Sequence, residues 1–419
     1  MNKSKLIFST GIANTFEWYD YFLFGHFAPI IGVKFFPNND PNVSLLQAFF
    51  VFAVGYLMRP VGGIFFGIIG DKFGRKIALT SAIFCMSVPT VLIGILPTYH
   101  TIGITATILM FLVRILQGLS MGGALTGSIS FVIEHTNKKQ RGFTGSISMS
   151  SICTGLLLGS FVSYLTKNVL TTAQFDNFGW RIPFLLGFFI LFAGLYIQKH
   201  TPETPDFKNL KKHHKILNSP LKRVIVKHWF DILISIFINA PGSLIFYLHA
   251  IYLVSFLKIN RGFTENEVNS LASICYIIMI VITLLSGYLS DLIGRRRIFV
   301  INLFIIIAAT PFLIKIFETG SFTEVIISQM IMAVLAGSYI GPETALQAEF
   351  YPINIRNTAL SLSYNTATSI FGGTAPLVVE YLVQKTGHVT SAVYYIMLLS
   401  ILGLVALSFY KDRSEMEEL

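Results

Sequence analysis

Two carboxylates, Glu17 and Asp20, stand three residues apart near the middle of the first apolar run of the chain. On a helix that spacing is about one turn, so both side chains share a face. Neighbouring carboxylates compete to stay ionised, which suits such a pair to taking up and giving off a proton. The alternative is an ion-pair partnership with Arg59 or Arg114. Arg114 lies about midway along the fourth apolar run, where it can hold a substrate carboxylate, pair with Glu17 or Asp20, or do each in turn. Arg59, followed by Pro60, reads as a structural partner. A further carboxylate, Glu343, interrupts the tenth apolar run in Gly341-Pro342-Glu343. Trp18, Tyr19, Phe22 and Tyr247 could cage a quaternary ammonium or simply pack. His26 and His249 could shuttle protons, or serve as hydrogen-bonded packing residues.

The elements that must position these groups are membrane helices. Of 419 residues, 53% are hydrophobic and 12% charged, with a mean hydropathy of +0.66. Soluble domains carry roughly 25% charge, so a bilayer is the solvent that fits. Spanning runs fall near 8–36, 47–70, 77–97, 102–133, 143–166 and 180–198, then near 229–257, 267–290, 298–317, 322–349, 357–383 and 390–410. The expected fold is therefore all-α and polytopic. Twelve transmembrane helices form two six-helix halves, 1–198 and 229–419, joined by a polar linker over 199–228. The first run is too long and too polar for a cleaved signal peptide and reads as an uncleaved helix.

The net charge of +10 would suggest nucleic acid in a soluble protein, but here the cations sit in short loops. Counting Lys and Arg gives 22 on the side of the termini and linker, Lys3 and Lys5 among them, and 6 on the other. That asymmetry places both termini and the linker in the cytoplasm. Cys85, Cys153 and Cys275 fall in apolar runs and read as packing residues. The linker pair His213 and His214 has no partner, so no metal site is expected. No nucleophile–base pair suggests an enzyme, and no Walker motif suggests ATP as the driver.

An internal repeat binds the two halves together. Residues 67–76 read GIIGDKFGRK and residues 287–296 read GYLSDLIGRR, with the aspartates 220 residues apart. Each copy follows the second run of its half. Asp71 and Asp291 can accept from arginines and from a neighbouring helix N-terminus. Gly74 and Gly294 permit the turn, and Arg75 and Arg295 supply the cation. Such clusters can latch helices in one of two states, or merely orient the loops.

The doubled loop resembles the signature of the major facilitator superfamily. Further segments are similar to its metabolite:proton symporter branch, which includes proline/betaine, α-ketoglutarate, citrate and shikimate transporters. They are Glu17-Trp18-Tyr19-Asp20, Arg59-Pro60-x-Gly62-Gly63, Arg114-x-x-Gln117-Gly118, Trp180 to Phe184 and Pro202-Glu203-Thr204-Pro205. Glu349-Phe350-Tyr351-Pro352 through Arg356, then Tyr364-Asn365 and Phe371-Gly372-Gly373, look most like the proline/betaine members. One departure stands out. The branch carries an acidic residue where this chain has Ala124, while Glu343 stands where members are commonly uncharged. The offset of 220 maps Ala124 onto Thr344, so Glu343 either replaces the missing carboxylate, pairs locally or tunes a different substrate. The Gly-Pro motif of drug antiporters is missing from the fifth run, and the chain ends soon after the twelfth. Regulation by a long C-terminal coiled coil is therefore not expected.

The resemblance implies secondary active import of a small zwitterionic or carboxylate-bearing solute, with proline or betaine the first guess. A proton is the coupling ion and no cofactor is needed. Glu17, Asp20 and Glu343 are the candidate proton carriers, Arg114 the substrate anchor, and Trp18 and Tyr19 further binding residues. Asp71, Arg75, Asp291 and Arg295 are the gating candidates. The partners are the solute and lipid, without nucleic acid, and the expected form is a monomer in a bacterial inner membrane. Export or uniport of another metabolite, such as a dicarboxylate, is the rival within transport. A non-transporting sensor is the rival outside it.

Overall fold

In lipid a backbone must satisfy its own polar groups, and a helix does so within one segment. The chain accordingly folds into twelve long helical segments. The computed structural model describes residues 3–413, without the side chains of 3–9, 41, 42, 45, 46 and 259. The charge-count residues Lys3 and Lys5 lie outside those described side chains. The first half comprises α1 (Lys3–His26, carried on by Ala28–Phe35), α2 (Pro41–Leu57, carried on by Arg59–Lys72) and α3 (Arg75–Ile95). It continues with α4 (Ile104–Glu134), α5 (Arg141–Val169) and α6 (Ile182–Leu185, carried on by Phe188–His200). Two short helices, Pro205–Lys212 and Pro220–Lys227, occupy the linker.

The second half comprises α7 (Trp229–Tyr247, a π turn Leu248–Tyr252, then Leu253–Asn260), α8 (Glu265–Ile293) and α9 (Arg295–Thr319). It ends with α10 (Phe322–Phe350), α11 (Arg356–Ala367, a π turn Thr368–Gly373, then Ala375–Thr386) and α12 (Ala392–Ser408). Among the described residues, ten segments are each long and apolar enough to cross a bilayer. The other two are α1 and α11. α1 is broken at Phe27 and carries Glu17 and Asp20, while α11 carries the buried polar set Asn357, Thr358, Ser361, Ser363, Asn365 and Thr368. These polar residues face the protein interior, where polar groups find partners, and not the lipid.

The halves meet chiefly where α5 packs against α8 and α10 and where α2 packs against α11. Large apolar side chains such as Phe65, Leu116, Phe192, Ile277, Phe304 and Leu377 stay exposed around the outside, as lipid contact requires. Within the first half, glycines bring α2 and α4 to backbone contact. A Cβ on Gly62 would stand 1.8 Å from the Leu119 carbonyl oxygen, and one on Gly122 would stand 2.0 Å from that of Arg59. Small residues at such a seam are how helices pack tightly in lipid. The seam explains the Arg59-Pro60-x-Gly62-Gly63 and Gln117-Gly118 segments as packing devices that hold two arginines inside the bundle.

Candidate functional site

Polar groups concentrate at two depths. One is the end of the bundle that carries the linker. There Gly74 and Gly294 take φ of 124° and 96°, the left-handed region that suits glycine at the turn of each repeat. The turn sets Asp71 against the N-terminus of α11. Its Oδ1 accepts from the Asn357 N–H at 3.2 Å and its Oδ2 from the Thr358 N–H at 2.8 Å. Arg75 pairs with Asp71 at 3.3 Å and with Glu134 at 3.1 Å, and donates to the Ile353 carbonyl at 2.5 Å. Glu134 also takes Arg356 at 3.1 Å, which reaches Asp206 of the linker at 3.1 Å. Glu203 accepts from the Lys76 N–H at 3.1 Å.

The second copy repeats the construction across the other seam. Asp291 accepts from the Gly142 and Phe143 N–H groups of α5, both at 2.8 Å. Arg295 joins Asp291 at 2.8 Å to Glu349 at 2.6 Å and donates to the Lys138 carbonyl at 3.0 Å. Each aspartate caps the N-terminus of a helix in the opposite half, where aligned peptide dipoles favour negative charge. The linker tie is acid-sensitive. Burial, with help from Glu134, pushes the Asp206 carboxyl above its usual range against the pull of Arg356. Protonation on acidification therefore loosens its hold on Arg356.

These contacts revise the internal alignment. Glu134 and Glu349 hold equivalent arginines, and Arg141 and Arg356 start equivalent helices, yet both pairs are 215 residues apart, not 220. The second half is five residues shorter between its repeat loop and its α10–α11 corner. Glu343 thus corresponds to Ser128, one turn from Ala124, and Ala124 itself packs against Phe66 and Ala82. At this corner the offset between the halves is 215 and not the 220 of the repeat loops, so Glu343 stands one turn from the counterpart of Ala124.

The other polar depth is the centre. Asp20 and Arg114 are buried and stand 3.9 Å apart, with Gln117 between them. Arg114 donates to Gln117 Oε1 at 2.6 Å, and Gln117 Nε2 donates to Asp20 Oδ2 at 2.8 Å and Thr90 Oγ1 at 3.0 Å. The guanidinium lies over the Phe24 ring at 3.9 Å. The partners of Arg114 thus lie inside the first half. Glu17 is buried, and neither of its oxygens has a hydrogen-bond partner among the described residues. Arg59, also fully buried, makes no well-formed hydrogen bond there. It sits over the Tyr56 ring at 5.3 Å and the Trp18 ring at 5.8 Å, beside the Tyr247 hydroxyl.

On the far side of Trp18 from Arg59 lies a small cavity of about 20 Å³ between the halves. Trp18, Phe246, Tyr247 and Tyr364 form aromatic walls, Ser243 adds a hydroxyl and Glu343 a carboxylate. The Tyr56 and Tyr247 hydroxyls hydrogen-bond to each other across the halves and roof the cavity on the side away from the linker. At the end of the bundle away from the linker a vestibule of about 780 Å³ opens between α5 and α8, lined by His26, Tyr164, Lys167, Glu265 and Asn269. Of the residues singled out from sequence, Trp18, Tyr247 and Glu343 reach the cavity. Tyr19 does not, since its hydroxyl donates to the Pro183 carbonyl at 2.8 Å within the first half. His26 faces the vestibule 3.3 Å from Lys167, and His249 is buried on the π turn of α7. Sequence reasoning assigned no role to Tyr56, Phe246, Glu134 or Asp206. It quoted Gln117, Tyr364 and Arg356 within motifs without reading their work.

Comparison with known proteins agrees with this architecture. The profile described as "Sugar (and other) transporter" matches residues 6–231, and that of the Major Facilitator Superfamily matches residues 237–419. A Staphylococcus aureus (strain MSSA476) protein is 34% identical over 97% of this chain and 87% of its own length. The "Proline/betaine transporter" of Salmonella typhimurium is 32% identical over 96% of this chain and 82% of its own. A double-tryptophan mutant of XylE superposes with a TM-score of 0.80 at 17% identity, covering 97% of this chain and 94% of that one.

Proposed function

We propose that this chain, which belongs to the major facilitator superfamily and so is a multi-pass membrane transporter of small molecules, imports a small zwitterionic solute by proton symport. One observation carries the reading. The linker end is sealed by ion pairs that join the halves, while the other end opens into a vestibule, and between the halves lies a small central cavity whose Glu343 has no ion pair and whose Trp18 Nε1 has no hydrogen-bond partner among the described residues. A bundle sealed at one end only is one station of alternating access, in which the halves rock about a fixed central site. The linker end, rich in Lys and Arg, faces the cytoplasm, and both termini lie on that side.

Each polar group has a part in this scheme. Asp71, Arg75, Asp291 and Arg295 close the cytoplasmic gate and part when the cavity turns inward. Glu17 and Asp20 carry the proton. Glu17 has no bonding partner to lose on protonation, and Asp20 is steadied by Gln117 and Arg114. Arg59 stands behind two cavity walls and Trp18 forms one of them. Their unpaired donors suit a substrate carboxylate. Relatives named for proline and betaine support that solute class.

Uptake of labelled proline, glycine betaine and α-ketoglutarate into proteoliposomes tests the reading. The expected result is accumulation of proline or betaine only under an inward proton gradient. Accumulation of α-ketoglutarate alone would replace the zwitterion by a dicarboxylate, and equal uptake without a gradient would remove symport.

A further inference from the structure

Glu343 is 3% exposed and lines the cavity. Its one hydrogen bond among the described residues comes from Gln347 Nε2 to Oε1 at 3.3 Å, and no lysine, arginine or histidine there pairs with it. A buried carboxylate without a cation is costly in a membrane interior, so some cation or proton must neutralise it. Its surroundings are set for a cation. The Phe246 ring stands edge-on to Trp18 at 6.0 Å and to Tyr247 at 5.3 Å, and Tyr364 closes the set. Aromatic faces alone bind any compact cation, quaternary or not. A carboxylate oxygen is more selective, because it also accepts hydrogen bonds.

Resting on the transport reading above, we propose that Glu343 seats the positively charged nitrogen of the substrate and makes the carrier prefer an ammonium that bears N–H over a quaternary one. An N–H ammonium can approach the oxygen to about 2.8 Å in a charge-assisted bond, whereas methyl groups hold a quaternary nitrogen off. At low dielectric that difference in separation is magnified. The position is not the counterpart of Ala124, so its charge serves the cavity's occupant and not a displaced coupling carboxylate. Imino and amino acids fit such a site, and betaines fit it less well.

The test is a matched series on one skeleton: L-proline, N-methylproline and N,N-dimethylproline, competing with labelled proline for binding to the full-length protein in detergent. In the wild type, proline and N-methylproline bind within a few-fold of each other, and the dimethyl compound binds about tenfold or more weakly. Glu343→Gln narrows that gap to about threefold by weakening the N–H ligands, and Glu343→Asp restores it. Thermal unfolding in detergent shows that each variant is folded. Equal wild-type binding of the dimethyl compound, or an unchanged gap in Glu343→Gln, would overturn the assignment. Loss of proton stimulation in Glu343→Gln with the gap intact would also overturn it, by making the residue a coupling carboxylate. Failure of all three compounds to bind the wild type would instead overturn the transport reading on which it rests.

Discussion

At the linker end, Asp71, Arg75, Glu134, Arg356 and Asp206 in one cluster and Asp291, Arg295, Glu349 and Arg141 in the other each have a partner of opposite sign within 4 Å, and Asp71 and Asp291 hold backbone N–H groups besides. In the centre, Glu17, Arg59 and Glu343 are just as deeply buried, yet none forms an ion pair within that distance among the described residues. The two regions use the same residue types for opposite ends. Paired charges define one arrangement of the helices and resist leaving it. Unpaired buried charges cost stability in every arrangement and are tolerated where a ligand or proton completes them. Stability and activity should therefore respond differently to mutation in the two places.

The sharpest contrast is Glu17→Gln. An amide removes a buried carboxylate that has neither a hydrogen-bond partner nor an ion pair within 4 Å among the described residues, so the thermal midpoint in detergent should hold or rise. Proton-driven accumulation should fall by at least about tenfold, the scale of removing a positioned proton carrier. Counterflow exchange, which needs no net proton movement, should persist. A variant that keeps its accumulation ratio would place proton carriage elsewhere, with Asp20 the next to test. A variant that loses its midpoint instead would show that Glu17 is structural and would break the distinction between the regions.

The two copies of the latch differ in a way that predicts a smaller effect. Asp71, Arg75 and Glu134 are at most 1% exposed at their side chains, whereas Asp291, Arg295 and Glu349 reach 5, 10 and 4%. Ion pairs shielded from water lose more when broken, because the abandoned charge stays buried. Asp71→Asn should lower both the midpoint and the transport rate, the latter by about tenfold, and Asp291→Asn by about threefold. Proteoliposome rates at matched protein density measure both. Equal losses would mean that the seams of α2 with α11 and of α5 with α8 contribute alike.

How much of this was legible in the residues follows the same division. The latch was readable because its core lies within ten consecutive residues and occurs twice. Asp71 and Asp291 were expected to accept from arginines and a helix N-terminus, and they do. Their acidic partners Glu134 and Glu349 were not paired with them, since they lie more than fifty residues away with no local spacing to betray them. The twelve spans were legible from apolar runs, although nothing in composition marks the break of α1 at Phe27 or the π turns of α7 and α11. Arg114 was expected to hold a substrate carboxylate, to pair with Glu17 or Asp20, or to do each in turn, and it stands 3.9 Å from Asp20. Its segment showed a charge in mid-helix, but not that Phe24 and Gln117 from different sides would enclose it. The cavity was the least legible part, because five helices each contribute only one to four of its side chains.

The roof of the cavity allows the finest test. Tyr56 and Tyr247 come from opposite halves, 191 residues apart, and their hydroxyls meet on the side of the cavity away from the linker. One neutral hydrogen bond contributes roughly 0.5–1.5 kcal/mol, so Tyr56→Phe should loosen the closure by about threefold to tenfold without touching the latch. The rings still meet edge to face at 5.9 Å and keep most of the contact, which places the expected effect at the low end. The readout is the rate at which a thiol reagent added from the vestibule side modifies a cysteine placed at Ser243, in a background lacking Cys85, Cys153 and Cys275. A rate about three times that of the parent is expected, and a saturating solute that favours closure should suppress it in both. An unchanged rate would mean that the hydroxyl contact does not limit access. Closure on the vestibule side would then rest on the bending of α7 and α11 at their π turns, and the contrast between a paired latch and an unpaired cavity would have no polar gate between its two terms.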